Sequence, residues 1–382
     1  MPGPLLVVTI DRLPAWILSA YGATWVATPA IDRLAARGVV FDGLVATSDD
    51  PRDAVQGLLA WAAGQTAAVA VVTDDPAVVD GACWSAVTVV PIVSPPSPAA
   101  DEPTTNLARL FAATAAIVGQ RRHEVVWCHA GSLGMSWDAP HGFREAYVDP
   151  EDPPPPPGAA VPDVAVTPAT DPDLITGLRH VFAGQITLLD RCLGHVIDAA
   201  GDRCTILVAG VRGMPLGLHG RLGPGPLPPY AELVRLPAIF VDGAGRMAGQ
   251  RYGGLVTPAD FGQTLAETAG LAVASPHDPW QGRSLTSLFT DWTATTRDRV
   301  IVTGSEGVAV VTPAWHLIRL PLAEEPVLRL YAKPDDCFDL CDVADRCPAV
   351  IEGLRPIVEA AAAGAASLAW TEPLGAGGDP AE

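Results

Sequence analysis

Lysine is almost missing from this 382-residue chain, and Lys333 is the only one. Chemistry that needs a lysine nucleophile or Schiff base at any other position is therefore excluded. Cations are scarce altogether, 24 Lys+Arg against 43 Asp+Glu, and the net charge of -19 argues against a nucleic-acid or anionic-membrane partner. Long apolar runs are also lacking. The longest, from Gly57 to Val72, is broken by Gln65 and Thr66 and followed by Asp74 and Asp75, short of a membrane-spanning helix. No basic stretch and no small-residue cleavage site precedes Leu5-Leu6-Val7-Val8-Thr9-Ile10, which reads as a first strand rather than an export signal. Seven cysteines, an odd number, then point to reduced thiols in a cytoplasmic protein. Charged residues are only 18% and apolar ones 49%, so the chain can bury a large core without staples.

What is present alternates. Leu5 to Ile10, Ala68 to Val72, Val87 to Val93, Glu124 to Cys128, Thr205 to Ala209 and Ala238 to Val241 read as strands, several of them apolar throughout. Between them Thr28 to Arg37, Asp53 to Ala63, Asn106 to Gln120, Asp173 to Ala200 and Pro258 to Gly270 have helical spacing. The alternation predicts an α/β fold with a mostly parallel sheet and helices on both faces. The proline-rich, acidic segment from Asp149 to Pro172 interrupts it as a packed or polyproline loop. From about Thr293 the pattern changes to short strands, Val300 to Thr303, Val308 to Thr312 and Trp315 to Leu320, as in an antiparallel meander, with a last helix from Pro348 to Ala363. The organisation predicted is an α/β domain over 1–292, a C-terminal antiparallel subdomain over 293–371 and a flexible tail over 372–382.

One ordered set of motifs carries more than composition does. Val8-Thr9-Ile10-Asp11 is followed by Tyr21-Gly22, then Thr28-Pro29-Ala30-Ile31-Asp32-Arg33-Leu34-Ala35, then Gly38-Val39-Val40-Phe41. In that order and spacing the text resembles the opening of the sulfatase family, within the alkaline-phosphatase superfamily. Val126-Trp127-Cys128-His129, Leu188-Leu189-Asp190, Thr205 to Gly213, Leu218-His219-Gly220, Arg235-Leu236-Pro237, Gly282-Arg283-Ser284-Leu285 and Lys333-Pro334-Asp335-Asp336 also have counterparts there. The resemblance implies an alkaline-phosphatase-like fold. It implies as well a sulfuric-ester hydrolase whose nucleophile, an oxidised cysteine or a serine, works beside a divalent cation, usually calcium.

The positions that would do this chemistry have changed. Asp11 keeps the first acid, but its neighbour is Arg12; the second metal pair is Val211-Arg212; the later histidine is Gly134; the nucleophile position falls on Pro51 and the motif arginine on Val55. A hard divalent cation wants about six to eight oxygen ligands, and one carboxylate between two arginines supplies few. The resemblance therefore implies a sulfatase-like protein that has lost metal and nucleophile. In such a protein Arg12 or Arg212 fills the vacated cation volume and pairs with Asp11. Asp11, Arg12, His129, Arg212, His219 and Arg221 are then candidates for holding a small anionic or sulfated ligand, with no metal expected.

Other readings remain open. Shifting the register by three makes Ser48 the nucleophile and Arg52 the motif arginine. The chain is then an active sulfuric- or phosphoric-ester hydrolase with Ser48 or Thr47 as nucleophile, Asp11, Asp49 or Asp50 as base or metal ligand, and calcium or magnesium as the cation. Cys337, Cys341 and Cys347 have a spacing that matches no standard zinc knuckle and read as helix-edge and core thiols. Trp16, Trp25, Trp61, Trp127 and Trp137 read as packing residues, Trp137 with a place near the mouth of the site.

Overall fold

The computed structural model describes residues 4–59, 61, 69–79, 84–270, 282–294, 297–321 and 325–364. Its elements are β1 (Leu5–Asp11), α1 (Pro29–Arg37), β2 (Val39–Leu44), α2 (Pro51–Leu59), β3 (Val69–Thr73), β4 (Ala86–Val89), α3 (Asn106–Gln120), β5 (Val125–Ala130), α4 (His141–Glu145), β6 (Val164–Ala165) and α5 (Pro172–Ala200). They continue with β7 (Thr205–Arg212), β8 (Arg221–Leu222), α6 (Ala231–Val234), β9 (Ala238–Val241), β10 (Gln250–Val256), α7 (Pro258–Thr268), β11 (Val300–Gly304), β12 (Gly307–Val311), β13 (Trp315–Leu320), β14 (Val327–Ala332) and α8 (Pro348–Ala362).

The main sheet has the order β10-β2-β9-β7-β1-β5-β3-β4, parallel except for β9, which runs against both neighbours. The alternation on β1 shows why its sequence is apolar at every position: Leu5 and Val7 enter the core cluster on one face, Leu6, Val8 and Ile10 that on the other. Two buried acids cap helices. Asp190, buried in α5, accepts from the backbone amides of Ala30 (3.0 Å) and Ile31 (2.8 Å) and so caps α1 from a distance. Thr257 and Asp260 close a capping box on α7, and Asp260 also takes the fork of Arg297 at 2.8 and 2.6 Å.

The small antiparallel sheet β11-β12-β13-β14 carries α8 on one face. From its other face Val300, Val302, Ala309, Val311 and Ile318 join the core of the main sheet. This sheet gains one strand over the sequence reading, β14, and the main sheet gains β2 and β10. β2 lies inside a stretch quoted above as a motif, and β10 has the polar sequence Gln250-Arg251-Tyr252-Gly253-Gly254 that an edge position tolerates. The proline-rich segment is ordered by packing. Arg144, fully buried, donates to the carbonyls of Ala139, Pro156 and Gly158, and Gly177 lets Pro156 approach α5. The predicted tail over 372–382 and the end of the helix read to Ala63 lie outside the described residues.

Candidate functional site

The parallel strands β1, β5 and β7 end side by side, and their carboxyl edge gathers Asp11, His129 and Arg212. A register shift between Ile10 and Asp11 sets Asp11 opposite Arg212. Arg212 spreads its guanidinium over the carboxylate, Nε to Oδ1 at 3.0 Å and Nη2 to Oδ2 at 2.7 Å, and turns Nη1 to the Asp49 carbonyl at 3.3 Å. This is a bidentate fork with both partners largely covered, the geometry in which arginine satisfies a carboxylate best. Of the two arginines expected to pair with Asp11, it is Arg212 that does so.

Arg12 follows in a left-handed conformation, φ 63°, which costs a non-glycine residue about 1–2 kcal/mol. The turn carries its side chain inward, where it is 5% exposed. Nη2 donates to the Pro224 carbonyl at 2.8 Å, and the buried Nε has no partner. Burial, together with the Arg212 charge, pushes its pKa down to about 10 against the pull of Asp11, Asp49 and Asp163, so it stays cationic at neutral pH. Gly134 is part of the same arrangement. A Cβ there would stand 3.2 Å from Arg12 Cγ, so Arg12 runs past the place that a side chain at 134 would take.

His129 lies one residue before the end of β5 and is buried. Its Nδ1 stands 2.8 Å from the Thr9 hydroxyl, which already accepts from the Trp127 indole N–H at 2.8 Å. The same hydroxyl also reaches the Cys128 carbonyl at 3.4 Å, so Thr9, Trp127 and His129 form one buried network with the β5 backbone. Burial lowers the His129 pKa, opposed by Asp11 and Asp75 and helped by Arg212.

The other candidates take less central places. Arg221 pairs with Asp163 at 2.5 Å where β8 meets β6, and it lies over Gly225, whose missing Cβ leaves the space. Pro224, which holds Arg12, belongs to the same loop. His219 is turned elsewhere: Nδ1 bonds Glu232 at 2.8 Å, Nε2 bonds the Asp339 carbonyl at 3.0 Å, and the ring stacks on Tyr230. Burial opposes its charge, but the hydrogen bonds to Glu232 and the Asp339 carbonyl hold its pKa above the ordinary value. His219 is thus a structural cation joining the main domain to the loop after β14.

Ser48 opens α2 rather than facing the ion pair with a free hydroxyl: its Oγ accepts from the Asp50 amide at 3.0 Å. Arg52 folds back on Asp50, with Nη2 to Oδ2 at 2.7 Å and its side chain 60% exposed. Asp49 is taken by the amide and hydroxyl of Ser305, both at 2.7 Å. Val55, where the motif arginine would stand, is buried in the core. Trp137 has no place at a mouth. It is 1% exposed, donates to the Leu133 carbonyl and packs on Phe182, because the segment after β5 turns it into the core under α5. Trp25, read as a packing residue, is 40% exposed.

The donor set does not fit the divalent cation that the resemblance implies. Among the described residues no group of three or more His, Cys, Asp or Glu could hold a metal ion. Asp11, the carboxylate at the end of β1, already has both oxygens on the Arg212 guanidinium, and Asp74, past the end of β3, is taken by the amides of Gly131 and Ser132. Cys337 and Cys347 are half-buried and Cys341 is exposed; all three are free thiols.

No family model matches the sequence, and no curated protein matches it. Solved structures do match, over nearly the whole chain. The phosphonate monoester hydrolase of Agrobacterium radiobacter superposes with a TM-score of 0.73 at 15% identity, covering 96% of this chain and 96% of that one. A protein solved in complex with its substrate D-glucosamine-2-N,6-O-disulfate superposes at 0.70 with 12% identity, over 94% and 97% of the two chains. A 2-O GAG sulfatase superposes at 0.69 with 15% identity, over 96% and 93%. The chain therefore has the alkaline-phosphatase-like fold of sulfatases and phosphonate monoester hydrolases. Among the described residues no helix is long and apolar enough to cross a membrane.

Proposed function

We propose that this chain is a sulfatase-family protein that has given up metal-assisted hydrolysis and uses the edge of its sheet to bind a small, singly charged oxyanion such as a sulfate monoester. The observation that carries this reading is the fork of Arg212 on Asp11. That fork supplies fixed positive charge where the resemblance implies a metal, and it consumes the carboxylate a metal would need. Asp11 and Arg212 cancel, Arg221 matches Asp163, and Asp49 acts on Arg12, so the edge offers directed N–H donors with little net positive charge. A sulfate monoester carries one negative charge, whereas a phosphate monoester carries about −1.5 to −2 at neutral pH, so the less charged anion is favoured. His129 stands on the same strand edge.

Titration calorimetry with methyl sulfate and with 4-nitrophenyl sulfate tests the reading. Binding is expected without added metal, weakened about tenfold in Arg12→Gln, with no release of 4-nitrophenolate. Stoichiometric metal together with turnover that Ser48→Ala abolishes would overturn it. The geometry gives that hydrolase little support, since Ser48, Asp49 and Asp50 are all engaged in building the start of α2 and its contact with β11.

A further inference from the structure

A second cavity lies where the loop after β14 and the turn between β12 and β13 close over β2 and β10, and it shares no residue with the Asp11–Arg12–Arg212 cluster. Its volume is about 90 Å³, room for a small ring with one substituent. Val45, Leu255 and Val311 supply apolar wall; Arg235 and Lys333 bring charge and His316 an imidazole.

Those charged groups differ in how they are satisfied. Asp339, fully buried in its side chain, takes Lys333 Nζ at 2.6 Å, His316 Nδ1 at 2.9 Å and the Ala231 amide at 2.6 Å. Three parts of the cavity lining are thus fixed by one carboxylate, and His316 is locked with one nitrogen on Asp339. Its other nitrogen, Nε2, is buried away from the cavity and has no partner. Arg235 is only partly buried; its Nε reaches the Asp42 carbonyl at 3.3 Å, and it forms no ion pair among the described residues. Asp42, the one acid in the lining, is held by Arg251 at 2.5 Å. An apolar chamber lined by a guanidinium that has no ion pair among the described residues is complementary to one kind of small molecule.

We infer that this cavity binds a small monocarboxylate with an apolar body, its carboxylate on Arg235 and its body against Val45, Leu255 and Val311. The inference does not rest on the oxyanion reading of the strand edge. The test titrates the full-length protein with benzoate, phenylacetate and 3-hydroxybenzoate, using ligand-observed NMR and the imidazole ¹⁵N signals of the protein. Dissociation constants of about 1–10 mM are expected for ligands of this size. The His316 ring signal, identified by its absence in His316→Asn, should shift. Arg235→Gln should weaken binding about tenfold, and Val311→Trp should abolish it by filling the chamber. Arg12→Gln should leave it unchanged, which separates this site from the strand edge. Failure of all three carboxylates to bind would overturn the inference. So would binding that survives both Arg235→Gln and Val311→Trp.

Discussion

Removing Asp11 should be more damaging than removing its partner, and the order follows from the charges around it. In Arg212→Met the Asp11 carboxylate loses its fork but still has the Arg12 charge beside it. In Asp11→Asn two guanidinia stand side by side, one already made less basic by burial and by the other. A buried pair broken on one side costs about 3–5 kcal/mol, and an exposed one about 0–1 kcal/mol. With side-chain exposures of 21% for Arg212 and 10% for Asp11, Arg212→Met belongs between these limits, at about 2 kcal/mol. Asp11→Asn should cost about 1 kcal/mol more, from repulsion at an effective dielectric near 20. The double variant Asp11→Asn with Arg212→Met removes both charges and should be less destabilised than Asp11→Asn alone, a coupling of about 1–2 kcal/mol. Urea unfolding of the four proteins gives the cycle. A coupling near zero, or an Asp11→Asn protein as stable as the wild type, would refute the pairing and return Asp11 to the status of a possible metal ligand.

Elemental analysis after dialysis against calcium, magnesium and manganese should find no stoichiometric metal per chain; one equivalent lost on Asp11→Ala would sink the donor-set reasoning. Gly134→His should destabilise the protein by about 1–3 kcal/mol through overpacking against Arg12, and should weaken sulfate binding in calorimetry; unchanged binding would mean that Arg12 is not positioned by that contact. His219 has a folded pKa above its unfolded value, so its pairing with Glu232 stabilises fully below about pH 6.5 and fades as pH rises through the folded value. The stability gap between wild type and His219→Gln should therefore narrow from acid to alkaline pH in urea titrations, and a gap that widens would reverse the assigned sign. Asp339→Asn should cost about 3–5 kcal/mol, because it leaves Lys333 and His316 buried without their counter-charge; thermal unfolding within a degree of wild type would remove Asp339 as the hub of the C-terminal contact.

The fold was largely legible because its strands bury both faces. Leu5 to Ile10 and Val125 to Ala130 are apolar at every position but Thr9 and His129, and those two residues bond each other across β1 and β5. β10 was not legible, since an edge strand rich in polar residues and glycine has no period to read. At the site, the substitutions Arg12, Arg212 and Gly134 are visible in the sequence one at a time. Their relation is not, because the bulge at Ile10/Asp11 decides which arginine faces the carboxylate and the positive φ of Arg12 decides where the other goes. His219 shows the opposite failure: it stands in a loop that a motif places near the site, yet Glu232, thirteen residues on, draws it away. Asp339 carried no signal beyond its sequence neighbours, and only the packing of β13 against the loop after β14 makes it the shared acceptor of Lys333 and His316.

A guanidinium can replace the charge of a metal ion without replacing its chemistry. It stabilises an anion by charge and by directed N–H donors, but it has no open coordination position with which to acidify a nucleophile. Its pKa, even when pushed down to about 10 as for Arg12, leaves it a poor proton donor at neutral pH. His129 has its Nδ1 engaged with Thr9 and its pKa lowered by burial. On the reading proposed above, binding outlives the replacement and turnover does not. Arg12→Gln and His129→Gln should both weaken sulfate-monoester binding, Arg12→Gln the more because it removes a charged donor, and neither should change hydrolysis from its background. A His129→Gln protein that binds sulfate as tightly as the wild type would confine the site to Arg12 and the loop of Pro224.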